Sequence, residues 1–220
     1  MKTVFEFPLK AAYGKPLPKT KIYAYAIPTT MVKNFFVQQV DKITWAYKLS
    51  PKTINLPASD HVQEIQVMVI DLKGESLSHD VLAAIDKAIP SPILFELRFK
   101  NKTRYAMAFK RPSEADKNKR VISVYFESDW INPAKGTVPL PVSVNLKGLY
   151  QNFLKALIPI STAGDEPIDQ IVERAERLQM LQREAERIEA RIKKEKQYNR
   201  KVELHGQFMK IKNDMHLLTL

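Results

Sequence analysis

The sequence predicts an α+β protein: a mixed or antiparallel sheet of about four to five strands flanked by helices, then a long C-terminal helix or helical hairpin. Three observations predict it. The runs EIQVMVIDLK, ILFELRFK, TRYAMAFK and RVISVYFES are short, rich in β-branched and aromatic residues, and bounded by polar or proline-containing segments, as strands are. Helical patterns such as HDVLAAIDKAI separate or precede these runs. Beyond Pro167 the chain contains no proline and carries apolar residues at alternating three- and four-residue steps.

In chain order, the first 28 residues hold Pro8, Pro16, Pro18 and Pro28, which exclude a long helix there. Val4, Phe5 and Phe7 suit one short extended segment anchored on the body of the protein, and Lys10, Lys15, Lys19 and Lys21 make this arm basic. Thr29 and Thr30 cap a helix predicted to run to about Leu49, with Val32, Phe35, Phe36, Val40, Ile43 and Tyr47 on one face. Residues 60–72 read as a strand with apolar groups on both faces, hence a central one. Ser78 caps a second helix with Val81, Leu82, Ile85 and Ala88 as its buried stripe, stopped by Pro90 and Pro92.

Two strands follow as a hairpin, with Asn101-Lys102 expected at the turn because Asn tolerates positive φ. A polar loop (112–119) leads to a fourth strand, an irregular connection (129–142), and a short helix (149–157). Gly164 and Pro167 mark the boundary between a basic α+β domain, 1–164, and a helical, coiled-coil-like arm, 165–220. In the arm, Leu178, Leu181, Ala185, Ile188 and Ile192 form one stripe and Leu204, Phe208, Ile211, Met215 and Leu218 a second in a shifted frame. The bridge KKEKQYNRK has no glycine or proline, which favours one long helix to about Glu203 over a hairpin.

Charge is unevenly placed. Residues 165–220 hold 12 Lys/Arg against 11 Asp/Glu, so almost all of the chain's net charge of +11 belongs to the first 164 residues. A domain this basic attracts polyanions, of which nucleic acid is the commonest. Its basic residues cluster on the predicted hairpin (Arg98, Lys100, Lys102, Arg104) and around the following loop (Lys110, Arg111, Lys117, Lys119, Arg120). Period two places Arg98 and Lys100 on one strand face, with Arg104 expected nearly opposite, an arrangement that suits an anion. The same charges also suit an edge hairpin guarded against aggregation. Tyr105, Phe109, Tyr125 and Phe126 lie on strands, where they serve either as base-stacking platforms or as core.

Several chemistries find little support. With no cysteine there is no disulfide, thiolate site or thiol nucleophile. The histidines (His61, His79, His205, His216) lack zinc-ligand spacing, and no phosphate-cradling glycine motif is present. No cofactor or metal is expected. A metal-dependent nuclease would need carboxylates from Asp60, Glu64, Asp71 and Glu96 to converge, but the lysine that usually follows such acids is missing, and Glu64 and Glu96 more naturally pair with basic neighbours. No signal peptide or membrane-spanning run is seen, so a cytoplasmic protein without membrane contact is expected.

The segments WAYKLSPKTINL, EIQVMVIDLK, AIDKAIPSPILFEL and AMAFKRP, with EKQYNRKVEL near the C-terminus, resemble the bacterial and archaeal DUF4391 family over nearly the whole chain. The family supplies no catalytic residues to carry over. Its members' genes often neighbour those of DNA methyltransferases and helicases of restriction or phage-defence type. The resemblance therefore implies a small accessory subunit of such a system. The combined expectation is a non-catalytic module that contacts DNA or RNA through the 98–120 surface. Its arm would bind a larger helicase- or methyltransferase-type protein or a second copy of itself. A purely protein-interaction scaffold and a divalent-metal-dependent nuclease are the alternatives.

Overall fold

The computed structural model describes residues 3–59, 61–113, 120–161 and 166–219. It is α+β and divides into two compact units, Met1–Leu157 and Ile158–Leu220. In the first, six strands form one sheet: β2 (Ala12–Pro16), β3 (Val40–Leu49), β4 (Ile65–Leu72), β5 (Ile93–Phe99), β6 (Lys102–Pro112) and β7 (Arg120–Glu127), in that spatial order. Every pairing is antiparallel except β4 with β5, which are joined by the crossover helix α4 (His79–Ala88). A separate parallel pair unites β1 (Val4–Glu6) with β8 (Thr137–Pro139).

Side chains on the two sides of the pleat meet different partners. On one face, Met68, Ile70, Phe95 and Ala106 pack with Ile22 of α1 (Lys19–Ala26), Phe36 of α2 (Thr30–Gln39), and Val81, Leu82 and Ile85 of α4. On the other, Tyr105 meets Phe5, whose ring sits 5.1 Å from Phe153 of α5 (Leu146–Leu157). β4 is buried along almost its whole length, as expected of a strand covered on both sides.

The largest departure from expectation lies at 29–49. The helix ends at Gln39, Val40 starts a ten-residue strand, and a single helical turn, α3 (Pro51–Ile54), follows it. Thr29 caps the helix as expected, accepting from the Val32 amide. The helix-like pattern of this strand has a physical cause. Register shifts between Val40 and Lys42 and again between Trp45 and Tyr47 interrupt the period of two. Buried positions then fall at Val40, Ile43 and Leu49, mimicking helical spacing. β2 escapes sequence reading for a related reason: it is a bulged edge strand in the proline-rich arm, with Gly14 at φ 64° inside the register shift. These two strands bring the sheet to six. The hairpin turn is displaced by one residue from its expected position. Phe99 pairs with Lys102, and Lys100, at φ 51°, supplies the left-handed conformation.

Lysines from other elements finish the C-terminal ends of two helices. Lys19 donates to the carbonyls of Phe36 (2.8 Å) and Val40 (2.7 Å), and Lys73 to that of Val37 (2.7 Å), at the C-terminus of α2. Burial pulls the Lys19 ammonium below its ordinary pKa, with the charge of Lys73 adding to the effect. At α4, Lys110 plays the same part. Some of the basic excess is therefore structural.

The second unit is a helical hairpin, not one long helix. α6 (Ile168–Lys194) turns through Glu195 to Gln197 into α7 (Tyr198–Thr219). Leu181, Ala185, Ile188 and Ile192 of α6 pack with Leu204, Phe208 and Ile211 of α7. Arg174 donates to the Leu218 carbonyl at 3.1 Å, tying the far end of α7 back to α6. The turn needs neither glycine nor proline because the Glu195 side chain accepts the Gln197 amide at 2.9 Å. No helix among the described residues is long and apolar enough to cross a membrane.

Candidate nucleic-acid interface

Seven of the nine basic residues singled out in the sequence are described, and these seven do not form one surface. Arg98, Lys100 and Lys102 gather at the tip of the β5–β6 hairpin, where they line a cavity of about 650 Å³. Its floor is aromatic: Phe7 stacks on Tyr47 with centroids 4.6 Å apart, beside Phe5 and Tyr105. The Tyr105 hydroxyl accepts the Phe5 amide at 3.0 Å, which fixes β1 across the sheet, and burial raises the phenol's pKa. Thr103 exchanges backbone hydrogen bonds with Ile131 (2.8 and 2.7 Å), placing Asn132, Pro133 and Ala134 on the opposite rim.

Arg98 is held but not covered. Its Nε and Nη2 both donate to Glu96 Oε1, at 2.7 and 2.6 Å. The Glu96 side chain is 8% exposed and that of Arg98 48%. The carboxylate therefore anchors the guanidinium from below, while much of the guanidinium stays open to solvent. Lys100 lies in the turn, its ammonium 5.1 Å from the Phe99 ring centroid. Lys102, opposite Phe99, shares the parity of Arg104 and belongs to the surface only because it sits at the hairpin's tip. It pairs with Glu75 at 3.2 Å, an exposed contact that costs little to exchange for another anion.

Arg104 departs from expectation. It pairs in register with Leu97, not with Arg98, so it projects from the opposite face of the sheet. There its Nη1 donates to Glu127 at 2.9 Å and its guanidinium sits 4.6 Å from the Trp130 ring centroid. Glu127 also bonds His79 Nε2 at 2.9 Å. Burial pushes the Glu127 carboxyl up, but the hydrogen bonds and charges of His79 and Arg104 outweigh burial and hold it below the usual 4.5. A depressed carboxyl stabilises the fold above its unfolded pKa and loses that contribution as pH falls through its folded value. Glu127→Gln is therefore expected to cost about 1 kcal/mol at neutral pH. In denaturant titrations the difference from the parent should shrink once pH falls below the ordinary 4.5 and vanish below the carboxyl's lowered folded value.

Lys110 is core. Its ammonium bonds Asp86 Oδ1 at 2.8 Å and the carbonyls of Asp86 (3.0 Å), Ile89 (2.5 Å) and Ser91 (2.9 Å). Tyr125 donates a short hydrogen bond to the other Asp86 oxygen. Every donor of this lysine is engaged inside the protein, so it cannot meet a phosphate. Arg111 and Arg120 lie at the far end of β6, in the adjacent register pairs Arg111–Val121 and Pro112–Arg120. Eight residues of strand separate Lys102 from Lys110, roughly 25 Å. Lys117 and Lys119 lie outside the described residues, as do Asp60 and Gly164.

The strand aromatics are packing residues. Tyr105, Tyr125 and Phe126 are buried, and Phe109 stacks on Tyr150 with centroids 6.0 Å apart. Of the described acids named for a nuclease, Glu64 lies apart from Glu96, whereas Asp71 pairs in register with Arg98 and so shares Glu96's face on the neighbouring strand. Glu64 pairs with Lys48 at 2.6 Å and lines a cavity on the face covered by α1 and α4, whereas Glu96 lines the hairpin cavity on the other. No group of three or more His, Asp and Glu placed to hold a metal occurs among the described residues. Sequence reasoning missed the rim residues Asn132–Ala134, because nothing local signals that Thr103 pairs with Ile131.

A family model described as a domain of unknown function, DUF4391, matches residues 5–215. The chain belongs to this family. No curated protein and no solved structure matches it. The matched range spans both compact units.

Proposed function

We infer that the α+β unit is a non-catalytic nucleic-acid-binding module whose contact surface is the β5–β6 hairpin tip. One observation carries this: Glu96 holds the Arg98 guanidinium at the mouth of a 650 Å³ cavity, beside Lys100 and Lys102. A guanidinium fixed in place and half open to solvent has given up much of its rotamer entropy before binding, and phosphate oxygens are its natural acceptors. The basic balance of the first 164 residues supports a polyanion over a lone anion. The wider setting, an accessory subunit of a restriction or phage-defence assembly, rests on the family resemblance alone. In that setting the helical hairpin is the element offered to a larger partner. Binding is tested by fluorescence anisotropy with labelled single- and double-stranded DNA and RNA. Arg98→Glu/Lys100→Glu/Lys102→Glu is expected to weaken binding at least tenfold at low salt. Unchanged affinity would remove the hairpin tip from the interface.

A further inference from the structure

A second cavity, of about 390 Å³, opens on the opposite face of the sheet, between β2, α1 and the end of α4. Three aromatic side chains surround it. Tyr13 and Trp45 form one wall, tilted at 55° with centroids 5.1 Å apart, and Tyr25 of α1 stands on another. Tyr25 is 74% exposed and Tyr13 41%, an unusual display of ring surface for side chains beside a cavity. Lys15 and Lys21 flank the opening, and neither forms an ion pair with a described residue; Lys15 lies 4.7 Å from the Tyr13 ring centroid.

The floor is polar and fixed. Trp45 Nε1 donates to Gln66 Oε1 at 2.8 Å, and Gln66 Nε2 donates to Glu64 Oε1 at 2.6 Å. Ser91 also donates to Glu64, at 3.3 Å, and Lys48 holds its other oxygen. Gln66 is fully buried, so this chain of hydrogen bonds orients the Trp45 ring and keeps a carboxylate at the edge of the cavity. One cavity is thus lined by aromatic rings, by the cations Lys15 and Lys21 and by a hydrogen-bond-accepting acid, Glu64.

We propose that this cavity binds an unpaired nucleobase bearing an exocyclic amino group, with the attached phosphate beside Lys15 and Lys21. Stacking on Tyr25 and Trp45 supplies affinity for any base. Glu64 accepts from the amino group of adenine, cytosine or guanine, whereas uracil and thymine offer it only an N3–H flanked by two carbonyl oxygens that the carboxylate repels. The volume lies in the range of small-ligand sites. This site is on the other face from the hairpin tip and does not depend on it.

The test is a titration of the intact chain with AMP, CMP and UMP, followed by tryptophan fluorescence. Saturable quenching by AMP and CMP, weaker for UMP, is expected. Trp45→Phe should abolish the signal and leave that of Trp130. Tyr25→Ala should raise the half-saturating concentration about five- to a hundredfold, the range set by removal of one base–aromatic stack. Arg98→Glu/Lys100→Glu should leave the quenching unchanged, which separates this site from the hairpin surface. Absence of saturable quenching, equal quenching in Trp45→Phe, an unaltered titration in Tyr25→Ala, or equal response to ribose 5-phosphate would each overturn the proposal.

Discussion

Replacing Lys110 with methionine is expected to destabilise the α+β unit by about 3–5 kcal/mol, the usual consequence of removing one partner from a buried ion pair. Its side chain is 3% exposed and that of Asp86 2%. Methionine fills nearly the same volume, so the penalty is electrostatic more than steric. Asp86 would remain buried with only the Tyr125 hydroxyl for company, and the carbonyls of Asp86, Ile89 and Ser91 would lose their donor at the end of α4. Burial already pushes the Asp86 carboxyl above its ordinary 3.8, against the opposing charge and hydrogen bond of Lys110. Without the cation it would rise further. A raised carboxyl contributes full stability below its unfolded pKa and loses it as pH rises. The defect should therefore be greatest at neutral pH and shrink toward pH 4. Adding Asp86→Asn should recover part of the stability, since no buried charge is then left uncompensated. Urea denaturation of the single and double variants checks this. A single-variant defect below about 1 kcal/mol would show that Lys110 is not structurally engaged.

The second large effect concerns binding. If the hairpin tip meets nucleic acid, reversing Arg98, Lys100 and Lys102 should cost far more than reversing Arg111 and Arg120, although all five belong to one stretch of sequence. Removing a single phosphate interaction also lowers the salt dependence by nearly one unit of slope. Arg111→Glu/Arg120→Glu changes the domain's net charge by four and so weakens long-range attraction, but it should leave most of the slope in place. Comparing variants at two salt concentrations distinguishes a direct phosphate interaction from a general field effect.

Much of the architecture was legible because single elements obey simple periods. β4 to β7 and α4 follow strand or helix spacing closely, and Ser78 marks the start of α4 by accepting the Asp80 amide at 3.3 Å. β3 was not legible, since its register shifts disguise a strand as a helix face. The hairpin of α6 and α7 was legible as two apolar stripes, but its turn was not, because a glutamate side chain does the work expected of glycine. The candidate site was only partly legible. Charge counting found Arg98, Lys100 and Lys102, but it could not see that Arg104 projects to the other face or that Lys110 is sealed beneath α4. Parity and burial are properties of the folded sheet, and local sequence carries neither. The aromatic cavity was invisible for the same reason: Tyr13, Tyr25 and Trp45 come from three elements, and two of these, β2 and β3, do not show themselves as strands in the sequence.

The central claim is that the hairpin tip, and not the basic stretch as a whole, carries phosphate contacts. The slope of log Kobs against log salt for the parent chain and for Arg98→Glu/Lys100→Glu/Lys102→Glu tests it most directly. The account predicts that the parent binds nucleic acid with a clear negative slope and that the triple variant's slope is shallower by about 2–3 units on duplex DNA. Equal slopes in the two chains, or no binding by the parent at low salt, would contradict it.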